Sequence, residues 1–147
     1  MRGFSLLALS HAAMAHPVKE FRLPTIVFIP GAWHGPWAFD TVRKNLESHG
    51  YPASATTLAS LANLDSDGGM CEDAASIRTE LEGLIERGNE VVVVAHLLKG
   101  GGMVSQFPAG SLTINLNTSH SPFLGQPVAL ADAIDQSVKH TATNTSV

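Results

Sequence analysis

Seven histidines, one cysteine and a glycine triplet are the residues of this 147-residue chain whose chemistry calls for a first look. A zinc site needs His, Cys or carboxylate ligands at paired spacings. The histidines are scattered without such a pairing, so no metal is expected. Cys71 cannot form an internal disulfide, and its neighbours Glu72 and Asp73 disfavour the thiolate, so it reads as a bystander. Lys99-Gly100-Gly101-Gly102 would let backbone N–H groups approach an anion. However, neither Gly-x-x-x-x-Gly-Lys nor Gly-x-Gly-x-x-Gly occurs, and a bare glycine triplet is a weak phosphate signal. Nor does the chain hold a Gly-x-Ser-x-Gly nucleophile motif. No cofactor is expected.

Composition narrows the class. The chain is 44% apolar and 15% charged, which suits a globular protein and not a disordered one. The net charge of −4 includes no run of Lys or Arg, so nothing would displace counterions from a nucleic-acid backbone. Arg2, the apolar stretch Phe4 to Leu9 and Ala13-Met14-Ala15 outline a short signal peptide, interrupted by Ser10 and His11. It is too short to span a bilayer. Sequons at Asn117-Thr118-Ser119 and Asn144-Thr145-Ser146 would matter only in a secreted chain. A cytoplasmic location is the favoured expectation, and secretion is the alternative.

The elements that would position any site are legible from residue 24 onward. Thr25-Ile26-Val27-Phe28-Ile29, bounded by Pro24 and Pro30, reads as a buried strand. Pro30 to Pro36 is a turn. Trp37 to Ser48 follows as a helix, with Ala38, Val42 and Leu46 four residues apart and Gly50 as its stop. Ala53 to Leu58 is a weaker strand and Leu61 to Asp73 a loop. A second helix is capped by Asp73, carries the stripe Ala74, Ile77, Leu81, Leu84 and Ile85, and stops at Gly88. The valines of Glu90 to His96 predict a strand buried on both faces. Alternating strands and helices imply an α/β fold. We expect a three- or four-stranded, mainly parallel sheet flanked by helices, with the valine strand beside Thr25–Ile29 and that strand beside Ala53–Leu58. Ser111–Asn117 is the candidate fourth strand; otherwise an apolar edge is left open to self-association. A helix is expected from Pro127 to Lys139, then a frayed tail.

Two of these segments resemble a family. Ile26 to Trp37, with its Pro30-Gly31-Ala32-Trp33-His34-Gly35-Pro36 loop, resembles the first strand and oxyanion loop of small α/β-hydrolases. The likeness is to the fungal and plant group of methylesterases and hydroxynitrile lyases, which carry Gly-Ala-x-His-x-x-Trp. Glu90 to His96 is similar to the strand that precedes that group's nucleophile. The likeness covers about residues 24–102, leaving 1–15 as a signal-like segment and 103–147 as a divergent C-terminal segment. It implies a partial α/β-hydrolase fold. Gly31 and Ala32 would belong to the oxyanion loop, with Ala32 supplying an N–H to developing negative charge and His34 ordering the turn. Trp37 is expected to pack on the first helix.

The resemblance breaks at the nucleophile. The family places serine directly after the histidine that stands here as His96, but this chain has Leu97, then Leu98 and Lys99 before the glycines. Leucine has no lone pair to attack a carbonyl and no proton to give a base. Ser105 would be an ordinary helix position. Asp132, Asp135, His120 and His140 are the candidates for the acid and histidine partners, with Asp135 and His140 read as a surface pair. Three readings follow. The first is a truncated α/β-hydrolase of esterase ancestry, inactive by the serine mechanism. The second is a non-catalytic binding protein using the open valine edge or the Gly31–Trp37 loop. The third is an active ester hydrolase whose sequence is incomplete or mis-spliced after His96. A small ester-like molecule is the expected ligand; nucleic acid and a membrane span are not expected.

Overall fold

The computed structural model describes residues 22–31, 33–62, 69–96 and 112–144. Strand β1 (Thr25–Ile29) lies at the centre of a three-stranded parallel sheet of order β2-β1-β3, with β2 at Ala53–Ala55 and β3 at Val91–Ala95. Both neighbours of β1 were expected from the sequence. The registers place Ile26 beside Ala53 and Val92, and Phe28 beside Ala55 and Val94. A central strand has no solvent-facing edge, which is why β1 is almost wholly apolar and buried from Thr25 to Phe28.

One face of the sheet carries the core. After β1 the chain makes a 3-10 turn at Pro36–Phe39, runs through α1 (Asp40–Ser48), and returns to β2. Ala38, Val42 and Leu46 are buried at their four-residue spacing against Ile26 and Phe28. The first turn is 3-10 because Pro36 supplies no N–H and fixes the entry to the helix. Gly50 adopts φ +88° and Gly88 φ +79°, so both predicted stops work by a left-handed residue that ends a helix.

The C-terminal helix α5 (Pro127–Asn144) adds Ala131 and Ile134 to the same core and packs along α1. It follows the short helix α4 (Pro122–Gly125), whose Phe123 is buried. The helix continues past Lys139 to Asn144, where a frayed tail was expected from Thr141 on. Tyr51, at the start of β2, donates a hydrogen bond of 2.7 Å to Asp135 on α5, and Lys139 closes on the same carboxylate at 2.6 Å.

The opposite face is covered by α3 (Met70–Glu86), preceded by the single turn α2 (Ala59–Ala62). Here three expectations change, beginning with the loop expected from Leu61 to Asp73, whose last residues form the first turn of α3. Gly69, not Asp73, caps the helix, and Glu72 reaches back to accept the Gly69 N–H at 2.8 Å. Asp73 instead accepts from the Ser60 amide and hydroxyl, joining α2 to α3. The α3 stripe is only partly covered: no residue of this helix is fully buried, Ile77, Leu81 and Leu84 are partly covered, and Ile85 is 60% exposed. Polar ties hold the helix, chiefly Glu80 accepting from Ser54 and Thr56 at 3.1 and 2.7 Å.

The valine strand is therefore not buried on both faces. Val92 and Val94 turn to the core, while Val93 is 45% exposed. Nor does a fourth strand form among the described residues. Residues 112–117 alternate in burial as a strand would, with Ile114 and Leu116 half-covered, but make no ladder. Ser111 lies outside the described residues. No helix among them is long and apolar enough to cross a membrane.

Candidate functional site

Parallel strands converge their loops at their carboxyl ends, and a ligand site in such a sheet forms there. The β1–β3 ladder extends one step beyond Ala95, where the His96 N–H donates to the Ile29 carbonyl at 3.1 Å. This draws the end of β3 against the loop that leaves β1. Gly31 is the point of closest approach. A Cβ built there would stand 2.7 Å from His96 Nδ1 and 2.8 Å from the His96 carbonyl oxygen. Glycine is thus required at residue 31 by the approach of two loops.

The loop turns back on itself through a bond of 3.3 Å from the His34 N–H to the Gly31 carbonyl. Trp33, at its tip, has φ +64° and is 81% exposed. A bulky residue in the left-handed region stores strain, of order 1–3 kcal/mol, and such strain clusters at functional sites. Trp37 is 62% exposed, which corrects the expectation that it packs on the first helix. Its indole instead lies over Gly35, whose added Cβ would fall 2.7 Å from the ring nitrogen.

Three histidines meet at this end of the sheet. His96 sits 5.5 Å from His34 in an edge contact and 4.6 Å from His120, between ring centroids. Phe123 presents its ring to both His34 and His96, at 5.2 and 4.9 Å, and stacks obliquely on Phe39. Both ring nitrogens of His96 are shut off from solvent and have no hydrogen-bonding partner among the described residues. Burial holds the His96 imidazole below its ordinary basicity. Repulsion from His120 adds to this, the His120 main chain works the other way, and repulsion from His34 adds a smaller push in the same direction as burial. Although three histidines gather, no group of three or more His, Cys, Asp or Glu is placed to hold a metal ion among the described residues.

The sequence-derived candidates separate clearly. Gly31, His34 and His120 come together around His96. Asp135 does not join them. It binds Tyr51 and Lys139, near the amino end of β2, so its predicted pairing with His140 gives way to a structural role. Lys139 and then Tyr51 hold its carboxyl below the usual carboxylate range. Asp132 and His140 are exposed on α5, and Cys71 is exposed in the first turn of α3. Ala32, Leu97, Lys99, Gly100, Gly101, Gly102 and Ser105 lie outside the described residues. The meeting of His96 with His120 and Phe123 was not legible in sequence, since more than twenty residues separate them. The one local signal was the apolar pair Phe123-Leu124 just before a helix-opening proline.

A three-stranded parallel sheet flanked by helices is consistent with a partial α/β-hydrolase fold. Over 77 residues the chain is 31% identical to the alpha/beta hydrolase nvfD of Aspergillus novofumigatus (strain IBT 16806), a stretch covering 52% of this chain and 31% of that protein. The chain therefore spans about a third of the length of the curated relative it matches. No family model matches the chain, and no solved structure matches it. The likeness and the sheet together support α/β-hydrolase-like ancestry.

Proposed function

We propose that this is an α/β-hydrolase-like protein of esterase ancestry, related to the methylesterase and hydroxynitrile-lyase group, in which the covalent serine mechanism does not operate. One observation carries the reading. His96, at the carboxyl end of β3, is packed against Gly31, His34 and His120, and the residue after it is Leu97. Acyl transfer begins with attack of an oxygen or sulfur lone pair on the carbonyl carbon, and leucine offers none. His120, a candidate for the histidine partner, lies beside His96. Asp135, the carboxylate candidate of the C-terminal helix, is engaged by Tyr51 and Lys139 instead of orienting that imidazole. What remains for an ester-like molecule is binding beside the Gly31 loop without turnover.

The test uses a fluorophosphonate probe and an activated aryl acetate with the full chain. We expect no adduct in the intact mass and no ester cleavage beyond what free imidazole gives. A phosphonylated serine, mapped by peptide sequencing, would overturn the proposal. The variant Leu97→Ser tests the ancestry separately, since labelling at residue 97 would report a loop and a base still arranged around that position.

A further inference from the structure

We infer that the His34, His96 and His120 cluster is an acid-operated latch, in which imidazole protonation releases the segment from His120 to Phe123 from the carboxyl end of the sheet. The geometry supplies the mechanism. His96 is enclosed by Gly31 and His34 from the loop after β1, by His120 from the segment before α4, and by Phe123 from α4 itself. Its two ring nitrogens meet neither water nor a hydrogen-bonding partner among the described residues. A proton added there would create a charge shut off from solvent, and that burial outweighs the help of the His120 main chain. Among the described residues, the ionisable groups acting on His96 are His120 and His34, both bases. A charge on His96 therefore lies 4.6 Å from one imidazole ring and 5.5 Å from another, both of which disfavour it.

Opening can be local. The segment coheres through the Gln126 amide nitrogen donating to the Asn117 carbonyl at 2.9 Å, and through Leu124 and Gly125 N–H groups donating to Ser121. Helix α5 is anchored separately by Ala131, Ile134 and the Tyr51–Asp135 bond. Releasing Phe123 would therefore expose the end of the sheet without detaching α5. The direction of the effect follows from the lowered basicity of His96. A depressed basicity in the closed state means that the open state binds more protons. The closed state is then fully favoured above the ordinary imidazole value of 6.5, and loses that advantage as pH falls below it.

The experiment is amide hydrogen exchange on the full chain between pH 7.5 and 5, with each rate divided by its intrinsic value. Protection at Leu124, Gly125 and Gln126 should fall by roughly tenfold per pH unit for each extra proton taken up, while Val42 and Leu46 in α1 hold theirs. His96→Phe keeps a ring against Phe123 and should flatten the dependence. His120→Gln should weaken it and gives a second reading if His96→Phe does not fold. His140→Gln, on the exposed side of α5, should leave it intact. Constant protection in the wild type, or an undiminished pH dependence in both His96→Phe and His120→Gln, would overturn the latch. No step of this test reads enzymatic activity, so it stands apart from the proposed function.

Discussion

Replacing Gly31 by alanine tests whether the two loops at the carboxyl end of the sheet are in true contact. The added methyl carbon would lie 2.7 Å from His96 Nδ1 and 2.8 Å from the His96 carbonyl oxygen, well inside the ordinary contact range of 3.4–4 Å. The ring can swing aside. The carbonyl cannot, because its own residue donates to Ile29 and terminates the β1–β3 ladder. Forcing an extra carbon into such a contact costs about 1–3 kcal/mol. For a chain of this size each kcal/mol lowers Tm by about 2–4 °C. Thermal and urea unfolding of Gly31→Ala, read by circular dichroism, gives the magnitude. His96→Ala then separates the two contacts, since it removes the ring but keeps the carbonyl. The double variant should remain less stable than His96→Ala alone. A Gly31→Ala protein with unchanged Tm would refute the close approach, and with it the placing of the glycine loop beside His96.

Other perturbations probe the rest of the frame. Tyr51→Phe deletes the bond to Asp135 and should cost about 1–2 kcal/mol in urea unfolding. The same pair sets two pH limits. Burial, then the Asp135 bond, push the Tyr51 hydroxyl up to about 12, so its contribution is present below pH 10 and fades as pH rises from 10 toward 12. The lowered Asp135 carboxyl contributes above its ordinary value of 3.8 and loses that contribution as pH falls below it; Tyr51→Phe should abolish the alkaline effect and shrink the acid one. Glu80→Ala removes the acceptor for Ser54 and Thr56, and exchange in α3 should accelerate before that in α1. Trp33→Gly relieves a left-handed φ at an exposed tip and should raise stability by about 1 kcal/mol, measured by urea titration.

Much of the frame was readable because its signals are local. A five-residue apolar run between prolines, an i, i+4 apolar spacing and a glycine after each helix need no knowledge of distant residues. They located β1, α1, α3, β3 and the helix from Pro127 to within a few residues. The errors arose where a local signal was overruled by a competing partner. Asp73 has the chemistry of a cap, but Ser60 takes its carboxylate and Glu72 satisfies Gly69. Four valines in a row predict burial on both faces, yet α3 lies loosely over one face and Val93 is left partly bare.

For the site, sequence alone determined which side chain follows the valine strand. Leu97 follows His96, no serine motif exists, and the nature of a side chain is independent of its surroundings. Which residues gather was decided by the tertiary structure. Asp135 and His120 were both named as candidates in the sequence, Asp135 with the reading of a surface pair. Helix α5 packs along α1, which carries Asp135 to Tyr51 near the amino end of β2, while the segment before α4 brings His120 to His96 at the carboxyl end of β3. The physical reason is that a contact between residues far apart in the chain depends on helix packing and strand direction, which no local pattern of residues encodes.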